Sequence, residues 1–307
     1  MVVTLDLVLK MFRRALVAWW NDNIPRLGAS LAYYTLFAIA PVLLVAIAVA
    51  GMVFGVEAVR GELVGQLQGL VGHDGAVAVQ GLLEGASRHR AGALATLLGA
   101  ITFVLAATGA FLELQAALNA IWCVKPKSNA NVKSFLIARI RSFGLVVAIG
   151  FLLLVSLAVS AALAALSNWL GQMAPGLPLL WNAVNLILSL GVVTTLFALL
   201  YAFLPDVRLK VTDVMVGAFV TAVLFTLGQQ LIGLYLGQST TTSAYGAAGS
   251  VIVLLLWVYY SSQVVLLGAE FTKVYADRTG LKPQPESFAK KDPLAPSKIA
   301  EVGAAAH

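Results

Sequence analysis

Residues 249–275 read GSVIVLLLWVYYSSQVVLLGAEFTKVY. As an α-helix this stretch is about 40 Å long, enough to cross a bilayer core of about 30 Å. It is not uniformly apolar. At helical spacing Tyr259, Gln263 and Glu270 share one face, with Val253, Leu254, Trp257, Val264 and Val265 on the greasy side. Lipid tails cannot hydrogen-bond a glutamine or a carboxylate, so other helices must cover that polar stripe. The stretch therefore reads as one member of a membrane helix bundle.

Working outward, apolar runs of similar length recur at 27–55, 91–122, 135–169, 180–204 and 211–237. With the last run they predict six transmembrane helices, an all-α polytopic bundle over residues 27–275. Composition agrees: 60% hydrophobic, 11% charged and a mean hydropathy of +0.90 exclude an ordinary soluble enzyme. In the first run Ser30, Tyr34, Phe37 and Pro41 share a face, and Pro41 removes a backbone donor and kinks the helix. The second run would be about 48 Å long as a helix and must tilt or project. Its small residues Ala106, Gly109, Ala110, Ala117 and Ala120 form a stripe with Glu113 set into it, which lets another helix approach closely. The fifth run aligns Thr226, Gln230, Gly233 and Gly237.

Three segments lie outside this pattern. Within residues 1–26, positions 5–20 are amphipathic, with Leu5, Leu9, Phe12, Leu16 and Trp19 against Lys10, Arg13 and Arg14, as suits a helix at the cytoplasmic membrane surface. Residues 21–26 read as a polar turn. Residues 57–90 carry two short apolar stripes about a Gly-His-Asp-Gly turn and predict an extracytoplasmic helical hairpin. Residues 276–307 are rich in Pro, Lys and Ala without periodicity and are expected to be a disordered cytoplasmic tail.

Charge orients the bundle. With six spans, 17 of the 20 lysines and arginines fall on the side of the two termini and three (Arg60, Arg88, Arg90) on the other. The positive-inside rule then puts both termini in the cytoplasm, facing anionic lipid. The basic excess needs no nucleic acid to explain it.

Chemistry-bearing patterns are sparse. The single cysteine, Cys123, allows no internal disulfide, and His73, His89 and His307 are too far apart for a metal-binding spacing. No GxSxG, HExxH, CxxC or Walker-type loop occurs, so neither an enzyme nor a cofactor is expected. What remains are Glu113 and Glu270, costly at membrane depth and best placed in the inner-leaflet half, with Asn119, Gln230 and Gln263 at comparable depth. Two readings stay open for the carboxylates. They form a proton-linked or cation-attracting site, or they pair with Arg139, Arg141 or Lys273 and stitch the bundle together.

Taken in order, Leu27-Gly28-Ala29-Ser30-Leu31-Ala32-Tyr33-Tyr34-Thr35-Leu36 leading to Pro41, Asn119-Ala120-Ile121-Trp122, Tyr201 with Leu204-Pro205, and Gly217-Ala218 form a pattern. Tyr245-Gly246-Ala247-Ala248-Gly249-Ser250, Trp257-Val258-Tyr259-Tyr260-Ser261 and Gly268-Ala269-Glu270 complete it. This ordered set resembles the YihY/BrkB family of bacterial inner-membrane proteins, from about residue 22 to 275. Ala38 departs from the serine often found three residues before the proline. The resemblance implies six helices with cytoplasmic termini, a link to envelope integrity and serum resistance, and movement of lipid or another amphiphile across the inner membrane. The family's former label as a tRNA-processing ribonuclease has no chemical support in this sequence. On that basis Ser30, Tyr34, Glu113, Asn119, Gln230, Tyr259, Gln263 and Glu270 are expected to line a lipid-accepting groove, with Pro41 permitting movement. The alternatives are a proton- or ion-coupled carrier of a small solute, and a non-transporting scaffold that docks an envelope partner through residues 57–90.

Overall fold

A computed structural model describes residues 5–56, 60, 61, 65, 68, 75–84, 108–127, 178–238, 247–279, 283–286 and 288–291. The helices among them are α1 (Leu5–Asn21), α2 (Ile24–Phe54), α3 (75–84), α4 (108–121), α5 (Pro178–Phe203), α6 (Val211–Gln238) and α7 (Ala247–Arg278). Four short strands join them: β1 (Val124–Pro126), β2 (Val207–Arg208), β3 (Gln284–Pro285) and β4 (Ala289–Lys291). Helices over Leu186–Phe203, Val211–Ile232 and Val251–Arg278 are long and apolar enough to cross a membrane. The run 135–169, residues 91–107 and most of the 57–90 segment lie outside the described residues.

The break between α1 and α2 is shorter than the polar turn expected at 21–26. Asn23 takes a left-handed conformation (φ 55°), which its short polar side chain tolerates, and α2 begins at the next residue. Pro25 then falls in the first turn of α2, where its missing N–H would have had no helical partner. The helix continues through Pro41 to Phe54.

Contacts divide the chain into two compact units. One comprises Met1–Ala18, Leu118–Thr226 and Leu267–His307; the other comprises Trp19–Ala117 and Leu227–Leu266.

In the first unit α6 and α7 run antiparallel at close range. A Cβ at Gly217 would fall on the Thr272 hydroxyl, and one at Gly268 would fall on the Thr221 hydroxyl. The two contacts lie four residues apart on each helix and in opposite sense, which fixes the antiparallel register. Small residues at such positions bring helix backbones together where no hydrophobic force separates lipid from side chain. The hydroxyls involved satisfy themselves on their own helix, Thr221 donating to Gly217 O at 2.8 Å and Thr272 to Gly268 O at 2.7 Å. Since Thr221 uses its proton there, the Tyr201 phenol is the donor in the 3.0 Å bond between them.

The amphipathic α1 docks by its narrow face. Met11 and Ala15 pack on Phe271 and Val274 of α7, with Val216 and Val220 of α6 alongside. Lys10, Arg13 and Arg14 are exposed, but so are Leu9 and Leu16 of the expected apolar face, and the buried positions are instead Met11, Ala15 and Ala18.

The tail differs from expectation. In the part of it that is described, α7 runs to Arg278, and β3 pairs with β2 and β4 with β1, both antiparallel, while residues 280–282, 287 and 292–307 lie outside the described residues. Backbone bonds from Glu286 N to Asp206 O and from Lys127 N to Phe288 O, each 3.0 Å, extend the pairing. Composition signals disorder when too little apolar surface can be buried. Here the backbone groups of the loops after α4 and α5 supply partners that composition does not register.

The greasy side of the last run faces other helices in part. Val253, Leu254 and Val264 are buried within the protein, and the outward residues of α7 are Val251, Ile252, Leu255 and Leu256. On α6 the exposed Val211, Met215 and Phe219 repeat every four residues. Stripes of large apolar side chains left uncovered along long helices suit a hydrocarbon solvent and would be a liability in water.

Candidate functional site

Within the second unit two polar side chains meet across 83 residues of sequence: Ser30 Oγ of α2 donates to Glu113 Oε1 of α4 at 2.5 Å. The distance is at the short end for O–H···O bonds, the range of a hydroxyl held by a carboxylate. One turn further along α2, the Tyr34 ring lies against Gly109, one turn earlier on α4, 3.2 Å from where a Cβ would stand. The two contacts advance in opposite directions, so α2 and α4 run antiparallel here. The small-residue stripe read on the second run thus has a specific use. Gly109 admits the Tyr34 ring and so lets Glu113 reach Ser30.

The surroundings of this pair are apolar and uncovered. Tyr33, Tyr34 and Phe37 are exposed on α2, at 59%, 41% and 57%, and Leu112 is exposed beside Glu113. The rings form a T-shaped cluster, with Tyr33 5.8 Å from Tyr34 and 5.0 Å from Phe37 between centroids. Glu113 lies eight residues before the end of α4, about 12 Å along the axis.

Gln263 belongs to the same unit and covers the start of α2. Its Nε2 donates to Pro25 O at 3.4 Å and its amide occupies the space that a side chain at Gly28 would need. Tyr259, one turn earlier on α7, is half-buried, while Gln230 is exposed on α6. Pro41 lies within α2. Of the expected groove residues, then, the structure brings Ser30, Tyr34 and Glu113 together and sets Gln263 of α7 against the start of the helix that carries Ser30.

Asn119 and Glu270 belong to the first unit. Asn119 Nδ2 donates to Asp206 Oδ2 and Asn119 Oδ1 accepts from the Asp206 backbone N, both at 2.8 Å. Glu270 is fully buried on α7. One turn on, Lys273 directs its ammonium at Cys123 Sγ, 3.9 Å away, in the turn that ends α4. The ion pairs considered for Glu113 do not include its observed partner, and Arg139 and Arg141 lie outside the described residues.

Sequence reading missed Asp206. The residue directly follows Leu204-Pro205, so a carboxylate set between a long apolar run and Arg208 was the available signal. It was overlooked because loop carboxylates are usually solvated, whereas this one is buried. Among the described residues no group of three or more His, Cys, Asp or Glu side chains could hold a metal ion.

A model of the family described as Virulence factor BrkB matches residues 15–292. The UPF0761 membrane protein RSc1559 of Ralstonia nicotianae is 29% identical over 260 residues, 84% of this chain and 56% of its own. The UPF0761 membrane protein YihY of Escherichia coli O7:K1 is 30% identical over 200 residues, 64% of this chain and 65% of its own. The UPF0761 membrane protein Ent638_4092 of an Enterobacter species is 33% identical over 189 residues, 61% of each. The chain thus spans less than two thirds of the length of these relatives. No solved structure matches it. With a family match that runs from α1 to β4 and long apolar helices inside it, the chain is a membrane protein and belongs to the YihY/BrkB family.

Proposed function

We propose that this protein carries a lipid or another amphiphile across the bacterial inner membrane, with both termini in the cytoplasm and the Ser30–Glu113 pair receiving the polar headgroup. The observation that supports the reading is the setting of that pair. A hydroxyl and a carboxylate sit on two antiparallel helices among exposed aromatic and aliphatic side chains. A carrier of a small hydrophilic solute would wall such a pair off from hydrocarbon, because an uncovered polar site loses its solute to water and gains nothing from lipid. An amphiphile needs both kinds of surface side by side: hydrogen-bonding groups for the headgroup and an open apolar face for the chains. Glu113 and Ser30 then act by replacing headgroup hydration during passage, so no nucleotide or cofactor enters the mechanism.

The test is reconstitution of the protein into liposomes containing a fluorescently labelled phospholipid, with chemical quenching of the outer leaflet. The expected result is a quenched fraction that exceeds that of protein-free vesicles and falls back toward it in Glu113→Gln. Quenching indistinguishable from protein-free vesicles would remove the lipid reading. Loss of pH dependence in Glu113→Gln with solute uptake intact would favour the ion-coupled carrier.

A further inference from the structure

Arg26, Ser30, Tyr33, Tyr34 and Phe37 fall within a sector of about 100° on α2, so they share one face of the helix. Arg26 and the three aromatic residues are exposed, and Ser30 is half-buried. Pro25 and Gly28, which Gln263 covers, lie on the other side. The charges bordering this face are few. Arg26 is the only charged residue of α2, and Glu113 is the only one of α4.

The face has a chemical order along the helix. Arg26 stands in the first turn, and Ser30, one turn on, donates to Glu113 Oε1. A neutral hydroxyl satisfies a lone pair of the carboxylate but leaves its negative charge in place. Glu113 is half-buried rather than sealed, so that charge is within reach from outside. The Tyr34 ring lies against Gly109, one turn from Glu113, which puts it about 6 Å from the carboxylate along the axis. Over such a distance an aromatic ring adds its own attraction for a cation. Tyr33 and Phe37 extend the aromatic surface away from the charges. A carboxylate beside exposed rings favours an ammonium group and repels a phosphate. One turn earlier, Arg26 has the opposite preference.

Given the Ser30–Glu113 pair as the headgroup site proposed above, we infer that it selects amphiphiles with an ammonium headgroup, of which phosphatidylethanolamine is the bacterial example. The ammonium donates to Glu113 and rests against Tyr34, the phosphate turns toward Arg26, and the acyl chains follow Tyr33, Phe37 and Leu112. In that lipid two carbons separate phosphate from ammonium, a span comparable to the one helical turn between Arg26 and Ser30. A lipid whose headgroup ends in hydroxyls, such as phosphatidylglycerol, keeps the Arg26 contact and brings no cation to Glu113.

The experiment titrates the purified full chain, in a non-ionic detergent, with phosphatidylethanolamine and phosphatidylglycerol of identical acyl chains, and counts bound lipid by native mass spectrometry. Phosphatidylethanolamine should bind about tenfold more tightly, the effect of one charged hydrogen bond. Glu113→Gln keeps the shape and removes the charge, so it should weaken phosphatidylethanolamine about tenfold and leave phosphatidylglycerol unchanged, which also shows that the variant is folded. Tyr34→Leu should weaken phosphatidylethanolamine about threefold. Arg26→Gln should weaken both lipids alike. Equal affinity of the wild-type protein for the two lipids would overturn the inference, and so would a preference that survives intact in Glu113→Gln. Binding and movement fail separately. A selective site in a protein that moves neither lipid in liposomes would remove the carrier reading and uphold the ammonium site, whereas movement of both lipids without selective binding would do the reverse.

Discussion

Asn119 and Asp206, 87 residues apart, hold each other at two points: the amide donates to the carboxylate and accepts from the backbone N–H of the same residue. The carbonyl of Asp206 in turn accepts from Glu286 N. One buried asparagine thereby ties the end of α4 to the loop after α5, and that loop to the tail.

This arrangement makes Asn119 costly to remove. Asn119→Ala should lower stability by about 2–3 kcal/mol, because it leaves the buried Asp206 carboxylate short of a donor. Asn119→Asp should cost more than Asn119→Ala, since two buried carboxyl groups would then face each other. Thermal unfolding in detergent, followed by near-ultraviolet circular dichroism, gives the ranking. An Asn119→Ala melting temperature equal to wild type would refute it.

The glycines of the α6–α7 contact should not tolerate a methyl group. Gly268→Ala and Gly217→Ala place a Cβ on the hydroxyls of Thr221 and Thr272, and each should destabilise by roughly 1–3 kcal/mol through forced separation of the helices. Gly191 on α5 is the control, with nothing within 4 Å of its would-be Cβ, so Gly191→Ala should leave the melting temperature unchanged or raise it slightly.

Ser30 and Glu113 should be coupled. Each single change, Ser30→Ala and Glu113→Gln, should impair lipid movement in liposomes. The double variant should be little worse than Glu113→Gln alone, because both remove the same interaction. Additive losses would mean that the two side chains act separately.

Docking of α1 should depend on the small volume at Ala15, which is fully buried against Phe271 and Val274. Ala15→Leu should overpack this seam at a cost of roughly 1–3 kcal/mol and expose α1 to protease. Arg14→Ala, on the exposed face, should change the proteolysis rate little.

The Arg208–Glu286 pair offers a milder test of the tail. With the Arg208 side chain 71% exposed, breaking the pair by Arg208→Ala should cost at most about 1 kcal/mol. Removal of the chain after Arg278 should cost more, since it also takes away Ala289 and the backbone bonds of both strand pairs. Comparing the two melting temperatures separates the ion pair from the strand pairing.

The helices were legible in the sequence because their signal is local. A run such as 211–237 declares its solvent by hydropathy and its length by the bilayer, and α6 starts at the same residue and extends one residue further. The basic face of α1 and the close-packing use of Gly109 were legible for the same reason: periodicity assigns a residue to a face before any neighbour is known. Ser30, Tyr34 and Glu113, named together from the sequence, lie side by side, with Ser30 bonded to Glu113 and Tyr34 against Gly109.

What sequence alone could not provide was partnership. Whether Glu113 meets Ser30, Asn119 meets Asp206 or Gln263 reaches Pro25 depends on which helices lie side by side, and those pairs are 83, 87 and 238 residues apart. The tail makes the same point from the other direction. Its composition lacks the apolar surface that usually orders a chain, yet backbone groups of two distant loops give β3 and β4 their hydrogen bonds. Solvent preference is a property of each residue and is written along the chain. A hydrogen bond belongs to two residues at once, and only the tertiary arrangement chooses the second.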